Sequence, residues 1–524
     1  MSRLLFVTSN GTGLGHLTRG MAIARRLGPE LEPVFLTLSA AAPVVEEVGY
    51  HVEYFPSHTA AAAESPRRWD RRLRARLELL VGELEPDLLV FDGAHPYDAL
   101  VAVLRAHRGG PMRTVWCRRP MWREGGGAEA IYWSGEFDAV LEPGELAEAA
   151  DRGLTVARRA EAERVGPIVF LDPGELLSRE EACADLGLDP ERPHALVALG
   201  QGPELDRAVA RCLELLAAHP ELQVAALESS LSPELRVPAE VVHLRGTYPM
   251  SRFYRAFDLA VAAAGYNAFH ELLAHGVPAL FVPMPRQIDD QAARARWAQD
   301  SGAGRGLAGP DDPALEARLG ELVDPEVRAA VARSLAALPP SDGARDAAAW
   351  LAGLVGGHGS GAGAGPKVGS ADGSADVGRE TLPTASKFGQ RLGPSLSVSA
   401  ELVRRVGLKL PLVVARRARA RITDPPPPPA KLAAIAIGLP ADELVTRLRA
   451  LARDAGVEPH RLLAITDSLD FTALRRAGFA FEYVPSPERA AAISDEPYPR
   501  FAERRIRAIL AGRSRAPWAT ISAP

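Results

Sequence analysis

Three glycines at alternating positions, followed at once by a histidine, come directly after the first apolar run of the chain. They are Gly11, Gly13, Gly15 and His16, with Arg19 one helical turn further on. A glycine-rich turn between a strand and a helix presents backbone N–H groups and a positive helix end to a ligand. We therefore expect the glycines and Arg19 to contact a phosphate or an acceptor molecule. His16 can take a proton near neutral pH, so we expect a general base; a histidine that only caps the helix is the alternative.

The spacing of this turn differs from that of the dinucleotide-binding fingerprint. The glycines follow the pattern G-x-G-x-G, and no acidic residue ends the second predicted strand, EPVFLTLS, where a ribose would need one. A nicotinamide cofactor is therefore not favoured. Asp92 ends another predicted strand, DLLVFDG, and either orients His16, serves as the base itself, or caps the next helix.

A second stretch, AAAGYNAFHELLAHG, combines a helix start with a carboxylate at a useful distance. Gly265 ends a predicted strand and Asn267 can cap the helix that follows, so free amides there can bind a diphosphate. Glu271 lies about one turn, roughly 6 Å, further along that helix. Its carboxylate can accept hydrogen bonds from both hydroxyls of a ribose. The alternative is an ordinary solvated glutamate.

Strand-like and helical segments alternate through most of the 524 residues, which exceeds the length of one core. The alternation predicts an α/β protein with two doubly wound, Rossmann-like domains, residues 1–166 and 167–353. A flexible glycine- and serine-rich linker (354–395) and a basic segment with a proline spacer (396–430) follow. The last part, 431–524, is predicted to form a small βαβαβ unit to which we assign no activity.

The composition indicates which partners and which cellular compartment to expect. A formal net charge of −5 gives no overall attraction to nucleic acid, so we expect none as a partner. The cysteines Cys117, Cys183 and Cys212 show no spacing typical of a zinc site or of disulfides, which fits a cytoplasmic protein. No apolar run approaches the ~20 residues that span a bilayer.

Two basic segments have two open interpretations. One is the tract Arg404 to Arg421, and the other is a set of arginines in a predicted helix: Arg67, Arg68, Arg71, Arg72, Arg74 and Arg76. They are either solvated faces or contacts to an anionic membrane at the inner face of the plasma membrane.

The motifs GTGLGH, AGYNAFHE, GVPALFVP and DDQ together resemble those of the GT-B glycosyltransferases. The resemblance is nearest to the UDP-N-acetylglucosamine transferase of peptidoglycan synthesis and its relatives, and it covers residues 1 to about 353. It implies that the two Rossmann-like domains face a cleft that holds the active site. It also implies metal-independent inverting transfer, without a cofactor, from a UDP-hexose or UDP-N-acetylhexosamine. The implied acceptor is a hydroxyl of a lipid-linked or cell-envelope glycan. We find no Asp-x-Asp metal pair beside the donor motifs.

The resemblance also assigns donor-binding residues. It implies diphosphate contacts by the start of the AGYNAFHE segment, a ribose contact by Glu271, and sugar contacts by Asp290 and Gln291. The residues implied for the diphosphate are Gly265, Tyr266 and Asn267. Those implied for the turn that closes over the phosphates are Gly200, Gln201 and Gly202. Tyr248 belongs to the segment implied to lie beside the uracil. The sequence departs from the family in having GQG where a GGS-type turn is usual, and no basic residue in VGPIVFLD.

Two other functions and one loop stay open. GLGHLTRGMAIA is also similar to the UDP-sugar hydrolase of pseudaminic acid synthesis, in which water replaces the acceptor. A non-catalytic nucleotide-sugar-binding protein is the third possibility. The loop WCRRPMWREGGG, with Trp116, Arg118, Arg119 and Trp122, forms either an acceptor-side lip or part of the core.

Overall fold

The computed structural model describes residues 1–9, 14–58, 65–200, 203–228, 235, 237–356, 432–511 and 518–520. These residues form three separate β-sheets, all with parallel strand pairs, and helices connect the strands. Parallel strands need a crossover connection, which explains why helical patterns separate most of the strands in the sequence.

The first sheet carries the glycine-rich turn. Its strands are β1 (Ser2–Thr8), β2 (Leu31–Thr37), β3 (His51–Tyr54), β4 (Leu88–Asp92), β5 (Arg113–Cys117), β6 (Ala139–Glu142) and β7 (Ala162–Arg164). Its helices are α1 (Gly15–Ala24), α2 (Ala42–Glu47), α3 (Pro66–Leu84) and α4 (Asp98–His107). The order β3-β2-β1-β4-β5-β6-β7 reverses direction between β1 and β4. The carboxyl ends of those two strands are where open α/β sheets bind ligands.

The second sheet repeats this plan. Its strands are β8 (His194–Ala198), β9 (Gln223–Leu227), β10 (Val242–Leu244), β11 (Leu259–Ala263), β12 (Ala279–Val282) and β13 (Arg305–Gly306). Its helices are α5 (Arg179–Leu186), α6 (Pro203–Ala217), α7 (Tyr266–Ala274), α8 (Gln291–Asp300), α9 (Leu315–Val323), α10 (Pro325–Ala336) and α11 (Gly343–Gly356). The order β10-β9-β8-β11-β12-β13 reverses between β8 and β11. Gly200 and Gly265 follow those two strands.

The third sheet belongs to the C-terminal unit. Its strands are β14 (Leu432–Ala436), β15 (Leu462–Thr466), β16 (Ala480–Tyr483) and β17 (Trp518–Thr520), in the order β16-β15-β14-β17. Its helices are α12 (Ala441–Asp454), α13 (Phe471–Arg476), α14 (Pro487–Ala491) and α15 (Tyr498–Ala511). The unit therefore contains one strand and two helices more than the predicted βαβαβ. The extra strand has only three residues, too few to show an alternating or continuous apolar pattern.

The C-terminal unit packs on the edge of the first sheet. The ring of Tyr54 in β3 lies 4.5 Å from that of Phe471 and 5.5 Å from that of Phe481, measured between ring centroids. Beside this aromatic contact, Arg505 Nη2 in α15 lies 2.9 Å from Glu53 Oε1 in β3, with both side chains buried. Burial alone would raise the pKa of Glu53, but Arg505 and its other neighbours lower it to about 2.

This packing corrects the expectation for the arginine-rich helix α3. Arg72 pairs with Glu482 of the C-terminal unit, and Arg76 Nη1 lies 3.3 Å from Glu53 Oε2. Both arginines are buried, so neither is a solvated or membrane-facing charge. Arg67 and Arg71 are exposed. The basic tract from Arg404 to Arg421 lies outside the described residues.

The two large halves cross at three glycines. An added Cβ on Gly144 would lie 2.6 Å from the carbonyl carbon of Gly166, and one on Gly343 would lie 1.8 Å from the carbonyl oxygen of Gly166. The backbone hydrogen bonds Gly144 N–H to Gly166 O and Gly343 N–H to Pro167 O hold this crossing. Helix α11, which starts at Gly343, then packs on α1 of the first half.

The predicted fold class, with two Rossmann-like domains and a further small α/β unit, is confirmed. The domain limits stay predictions, although α11 ends at Gly356 rather than at 353. Most of the predicted linker 354–395 and all of the segment 396–430 lie outside the described residues.

We expect Gly343→Ala to destabilise the chain by about 1–3 kcal/mol, because a methyl group there overlaps the Gly166 carbonyl and forces the crossing apart. Gly353→Ala is the matched control in the same helix, because no atom lies within 4 Å of its added Cβ. That substitution should leave stability unchanged or raise it by up to about 1 kcal/mol through helix propensity. Urea unfolding midpoints measure both. Equal midpoints for the two variants would contradict the close contact.

Candidate active site

The carboxyl ends of the first two sheets contact each other through α1 and α7. The Thr18 hydroxyl in α1 lies 3.1 Å from the Tyr248 hydroxyl. The side-chain amide of Asn267 in α7 donates a hydrogen bond of 3.2 Å to the carbonyl oxygen of Gly15. The predicted catalytic and donor-binding residues of the two halves therefore lie beside one common cleft.

His16, Asp92 and Arg19 form a hydrogen-bonded group on the first half. His16 Nδ1 lies 2.7 Å from Asp92 Oδ1, and Arg19 Nε donates to Asp92 Oδ2 at 2.8 Å. Burial alone would raise the pKa of Asp92, but the charges of Arg19 and His16 and their hydrogen bonds lower it to about 2. Asp92 is therefore ionised and can only accept hydrogen bonds.

The charge state of Asp92 fixes which nitrogen of His16 is basic. Asp92 only accepts and lies 2.7 Å from Nδ1, so that nitrogen donates and the lone pair of the neutral ring is on Nε2. Arg19 Nη2 lies further from Nδ1, at 3.3 Å, and donates to Asp92 Oδ1 at 2.5 Å instead. Burial lowers the pKa of His16 more than the Asp92 carboxylate raises it. His16 is therefore neutral at pH 7, with Nε2 able to take a proton.

The α7 N-terminus lacks a side-chain cap on its backbone donors. Gly265 is the N-cap residue, so the first N–H groups of the helix have no side-chain oxygen from that position. The hydroxyl of Tyr266 already has two partners inside the protein, because it donates to Gly144 O at 2.8 Å and accepts from Ile168 N–H at 3.0 Å. Only its backbone N–H remains for an anion. The guanidinium of Arg19 lies over its ring, 5.1 Å from the centroid.

Glu271 is a buried carboxyl, not a solvated helix glutamate. Burial raises its pKa to about 7, and the Phe170 amide and the Ser251 hydroxyl lower the pKa only in part. The burial of Glu271 therefore favours the neutral carboxyl over the carboxylate.

Asp290 and Gln291 already have partners inside the protein. Asp290 Oδ1 accepts from Ala293 N–H and so caps α8. Gln291 Oε1 accepts from Met284 N–H at 2.9 Å, and its Nε2 donates to Asp289 Oδ2 at 3.1 Å. Their contact to a donor sugar stays a prediction.

Of the glycine-rich turns predicted to contact phosphates, the structure describes Gly15 and Gly200. Gly200 follows β8 with a φ of +82°, which favours glycine, and Gly15 begins α1 with open space at its Cβ position. Gly11, Gly13, Gln201 and Gly202 lie outside the described residues.

Sequence reasoning missed a buried charge network that joins the two halves. Arg294 Nε donates to Glu145 Oε2 at 2.8 Å, and its Nη1 donates to Asp289 Oδ1 at 2.7 Å. His270 Nε2 lies 3.1 Å from Glu145 Oε1. Glu145 belongs to the first half and the other three to the second. The one signal in the sequence was the segment DDQAAR, in which Asp289 and Arg294 are close enough along the chain to form an ion pair.

The loop after β5 contacts the segment before α8 directly. The N–H groups of Arg123 and Asp290 donate to the carbonyls of Ile288 and Met121, at 2.6 and 2.8 Å, and a β-bridge pairs Trp122 with Asp289. Trp122 is buried.

Of the two interpretations left open for this loop, an acceptor-side lip or part of the core, burial favours the core for three of the four residues. Trp116, Arg118 and Trp122 are buried and belong to the core. Arg119 alone remains partly exposed beside the cleft.

The described residues contain neither a membrane-spanning helix nor a cluster of metal-binding side chains. None of the described helices is long and apolar enough to cross a bilayer. No group of three or more histidine, cysteine and acidic side chains in the described ranges is arranged to hold a metal ion.

Two Rossmann-like domains whose strand ends meet at a cleft define the GT-B class of glycosyltransferase fold. Residues 226–337 match the glycosyltransferase family 28 C-terminal domain. A relative from Acidothermus cellulolyticus is 30% identical over 57% of this chain and 83% of its own length. It is named UDP-N-acetylglucosamine–N-acetylmuramyl-(pentapeptide) pyrophosphoryl-undecaprenol N-acetylglucosamine transferase. The chain belongs to this family of MurG-like GT-B glycosyltransferases.

Two further similarities were found. A relative of the same name from Clavibacter michiganensis subsp. michiganensis is 34% identical over 34% of this chain and 48% of its own length. The crystal structure of Acinetobacter baumannii MurG superposes with a TM-score of 0.44 and 15% identity, covering 67% of this chain and 99% of that one.

We expect Asp92→Asn to lower turnover by about 10²- to 10⁴-fold, because an amide no longer forces the proton onto Nδ1 of His16. The substitution also leaves Arg19 buried without a counter-ion, so the variant should be less stable to urea. In the folded variant, nucleotide affinity should change less than twofold. Steady-state kinetics measure turnover, calorimetry measures affinity, and ¹⁵N NMR of His16 reports the tautomer. Asp98→Asn, at an exposed carboxyl in the first turn of α4, is the control. Turnover in Asp92→Asn within threefold of the unsubstituted chain would refute the orienting role.

We expect Glu271→Gln to stabilise the ligand-free chain at pH 8 but not at pH 4.5. The pKa of Glu271 is raised from 4.5 to about 7, so its contribution to folding is complete below pH 4.5 and is lost as the pH rises through 7. The neutral amide avoids that loss, worth about 1–3 kcal/mol at pH 8. Urea midpoints at both pH values test this. Glu316→Gln, at a side chain that is 70% exposed, should show no such pH dependence. Equal midpoints at pH 8 would contradict the burial of an ionisable group.

Proposed function

We propose that this chain moves a hexose or N-acetylhexosamine from UDP to a hydroxyl of a lipid-linked acceptor. The observation that carries the proposal is the His16–Asp92–Arg19 group, held beside the α7 N-terminus by the contacts of α1 with α7. A base and an anion site on opposite walls of one cleft are the two requirements of sugar transfer from a nucleotide diphosphate.

The donor side is supported by a single helix. The free N–H groups and positive end of α7 suit a diphosphate, and Glu271 lies on the same helix, where it can accept hydrogen bonds from ribose hydroxyls. The names of the relatives specify UDP-N-acetylglucosamine, which supports UDP as the nucleotide. Asp290 and Gln291 would contact the sugar only if they exchanged partners on binding.

We propose inverting displacement in which the acceptor hydroxyl attacks the anomeric carbon as the bond to the diphosphate breaks. His16 Nε2 takes the hydroxyl proton, and the ionised Asp92 stabilises the imidazolium that forms. The N–H groups at the start of α7 stabilise the charge of the departing diphosphate. This arrangement needs no metal ion.

The names of the relatives support a proposal for the acceptor and for the location of the protein. They are named for a pyrophosphoryl-undecaprenol acceptor, so we propose a lipid-linked acceptor in the cell envelope. Work on such a substrate fits a cytoplasmic protein that binds the inner face of the plasma membrane peripherally. The exposed Arg67 and Arg71 are available for that contact.

The test measures nucleotide release from a panel of UDP-, GDP- and dTDP-sugars, with and without lipid extract from the source cells. We expect release from a UDP-sugar, and only when the lipid extract is added. His16→Ala should lose this release by about 10²- to 10⁴-fold while UDP affinity stays within twofold. His219→Ala, at a partly exposed histidine on the second half, is the matched control.

The other outcomes separate the alternatives. Release in water without lipid would favour a UDP-sugar hydrolase and refute the transferase. Absence of release from every donor, with UDP still bound, would favour a nucleotide-sugar-binding protein. Full release in His16→Ala would remove His16 from the role of base.

A further inference from the structure

Arg118 and Arg119 are neighbours at the end of β5, but their side chains have very different surroundings. Arg118 is fully buried and donates to the Ser134 hydroxyl at 2.9 Å and to the Arg158 carbonyl at 3.1 Å. It also pairs with Glu142 and Glu161. Arg118 is therefore part of the packing of the first half.

Arg119 has far fewer partners within the described residues. The contact that the structure shows for its guanidinium is one ion pair, in which Nη1 lies 3.5 Å from Asp289 Oδ1. That carboxylate already accepts closer hydrogen bonds from Arg294, at 2.7 Å, and from Gln291, at 3.1 Å. Most of the five N–H donors of Arg119 thus have no acceptor among the described residues.

The side chain of Arg119 is also more exposed to solvent than those of the neighbouring arginines Arg19 and Arg294. Its side chain is 16% exposed, against 1% for Arg19 and 0% for Arg294. Arg119 is close enough to His16 for its charge to lower the pKa of that imidazole. In the first sheet, Asp92, the partner of His16, pairs with Cys117 of β5, and Arg119 follows Cys117 by two residues. The backbone of Arg119 therefore leaves the sheet next to the strand end that carries the partner of the predicted base.

The backbone that carries Arg119 is held firmly in place. Two backbone hydrogen bonds and one β-bridge join the following residues, Met121 to Arg123, to the segment 288–290 of the second half. A long side chain on a fixed loop needs little ordering when a ligand binds, which favours a binding role over a mobile surface charge.

We propose that Arg119 binds a phosphate oxygen of a substrate beside His16. This proposal rests on the proposed function, which supplies two sources of that oxygen: the diphosphate of the sugar donor and the phosphate that links the acceptor to its lipid. The planar guanidinium can make two parallel hydrogen bonds to a phosphate, and its charge strengthens both. Asp289 then orients Arg119 from behind without neutralising it fully.

Binding of simple probes to the full chain tests the proposal. The probes are uridine, UMP and UDP, which share a nucleoside and differ in phosphate number, and farnesyl pyrophosphate, which carries a lipid-linked pyrophosphate without a nucleoside. Calorimetry compares the unsubstituted chain with Arg119→Gln and Arg119→Lys. Arg123→Gln is the matched control, because Arg123 lies on the same loop and donates to the Arg286 carbonyl on an exposed surface.

A donor contact predicts that Arg119→Gln binds UDP about 10- to 100-fold more weakly while uridine affinity is unchanged. An acceptor contact predicts the same loss for farnesyl pyrophosphate, with UDP unchanged. Arg119→Lys keeps the charge but loses the fork, so it should lie between the two. Arg123→Gln should bind every probe within twofold of the unsubstituted chain.

The proposal fails if Arg119→Gln binds both UDP and farnesyl pyrophosphate within twofold of the unsubstituted chain. If Arg119→Gln does not fold, Arg119→Lys decides: a loss of fivefold or more for one probe supports the contact, and retention of both refutes it. An unsubstituted chain that binds neither probe would refute the proposed function as well. The two failures are therefore distinguishable.

Discussion

The pairing of Asp92 with Arg19 is the interaction on which the cleft depends. Both groups are buried, and removing one partner of such a pair typically costs about 3–5 kcal/mol because the other charge remains without compensation. The pair holds His16 in one tautomer, and the Arg19 guanidinium lies over Tyr266 of the opposite half. The hydroxyl of Tyr266 in turn bonds to the chain on both sides of the glycine crossing. One ion pair thereby links the predicted chemistry to the relative placement of the two halves.

The sequence predicted the sheets and the strand ends well because both are local features. Buried parallel strands read as continuous apolar runs, and a residue such as Asp92 directly after such a run must lie at the ligand-binding edge. The network of Glu145 and Arg294 could not be predicted in this way. Its members are 149 positions apart, and each reads as an ordinary surface charge until the fold brings them together.

Predictions from charge runs were the least reliable for the same reason. The run in α3 contains exposed arginines and two that are buried, and only the spacing of three or four residues per turn separates the sets. Arg72 and Arg76 face Glu482 and Glu53, which come from the C-terminal unit and from β3. The ion pair between Arg72 and Glu482 shows that part of the positive charge of α3 serves to bind the C-terminal unit.

Helix α11 follows the second half in sequence but packs on α1 of the first. The first half alone therefore lacks a helix that covers part of its own surface, and the second half alone would expose the inner side of that helix to water. The two halves are interlocked, and cutting the gene at residue 166 would not yield two independent modules. The smallest unit that can be exchanged by recombination, or that can fold as a whole, is therefore the two halves together with helix α11.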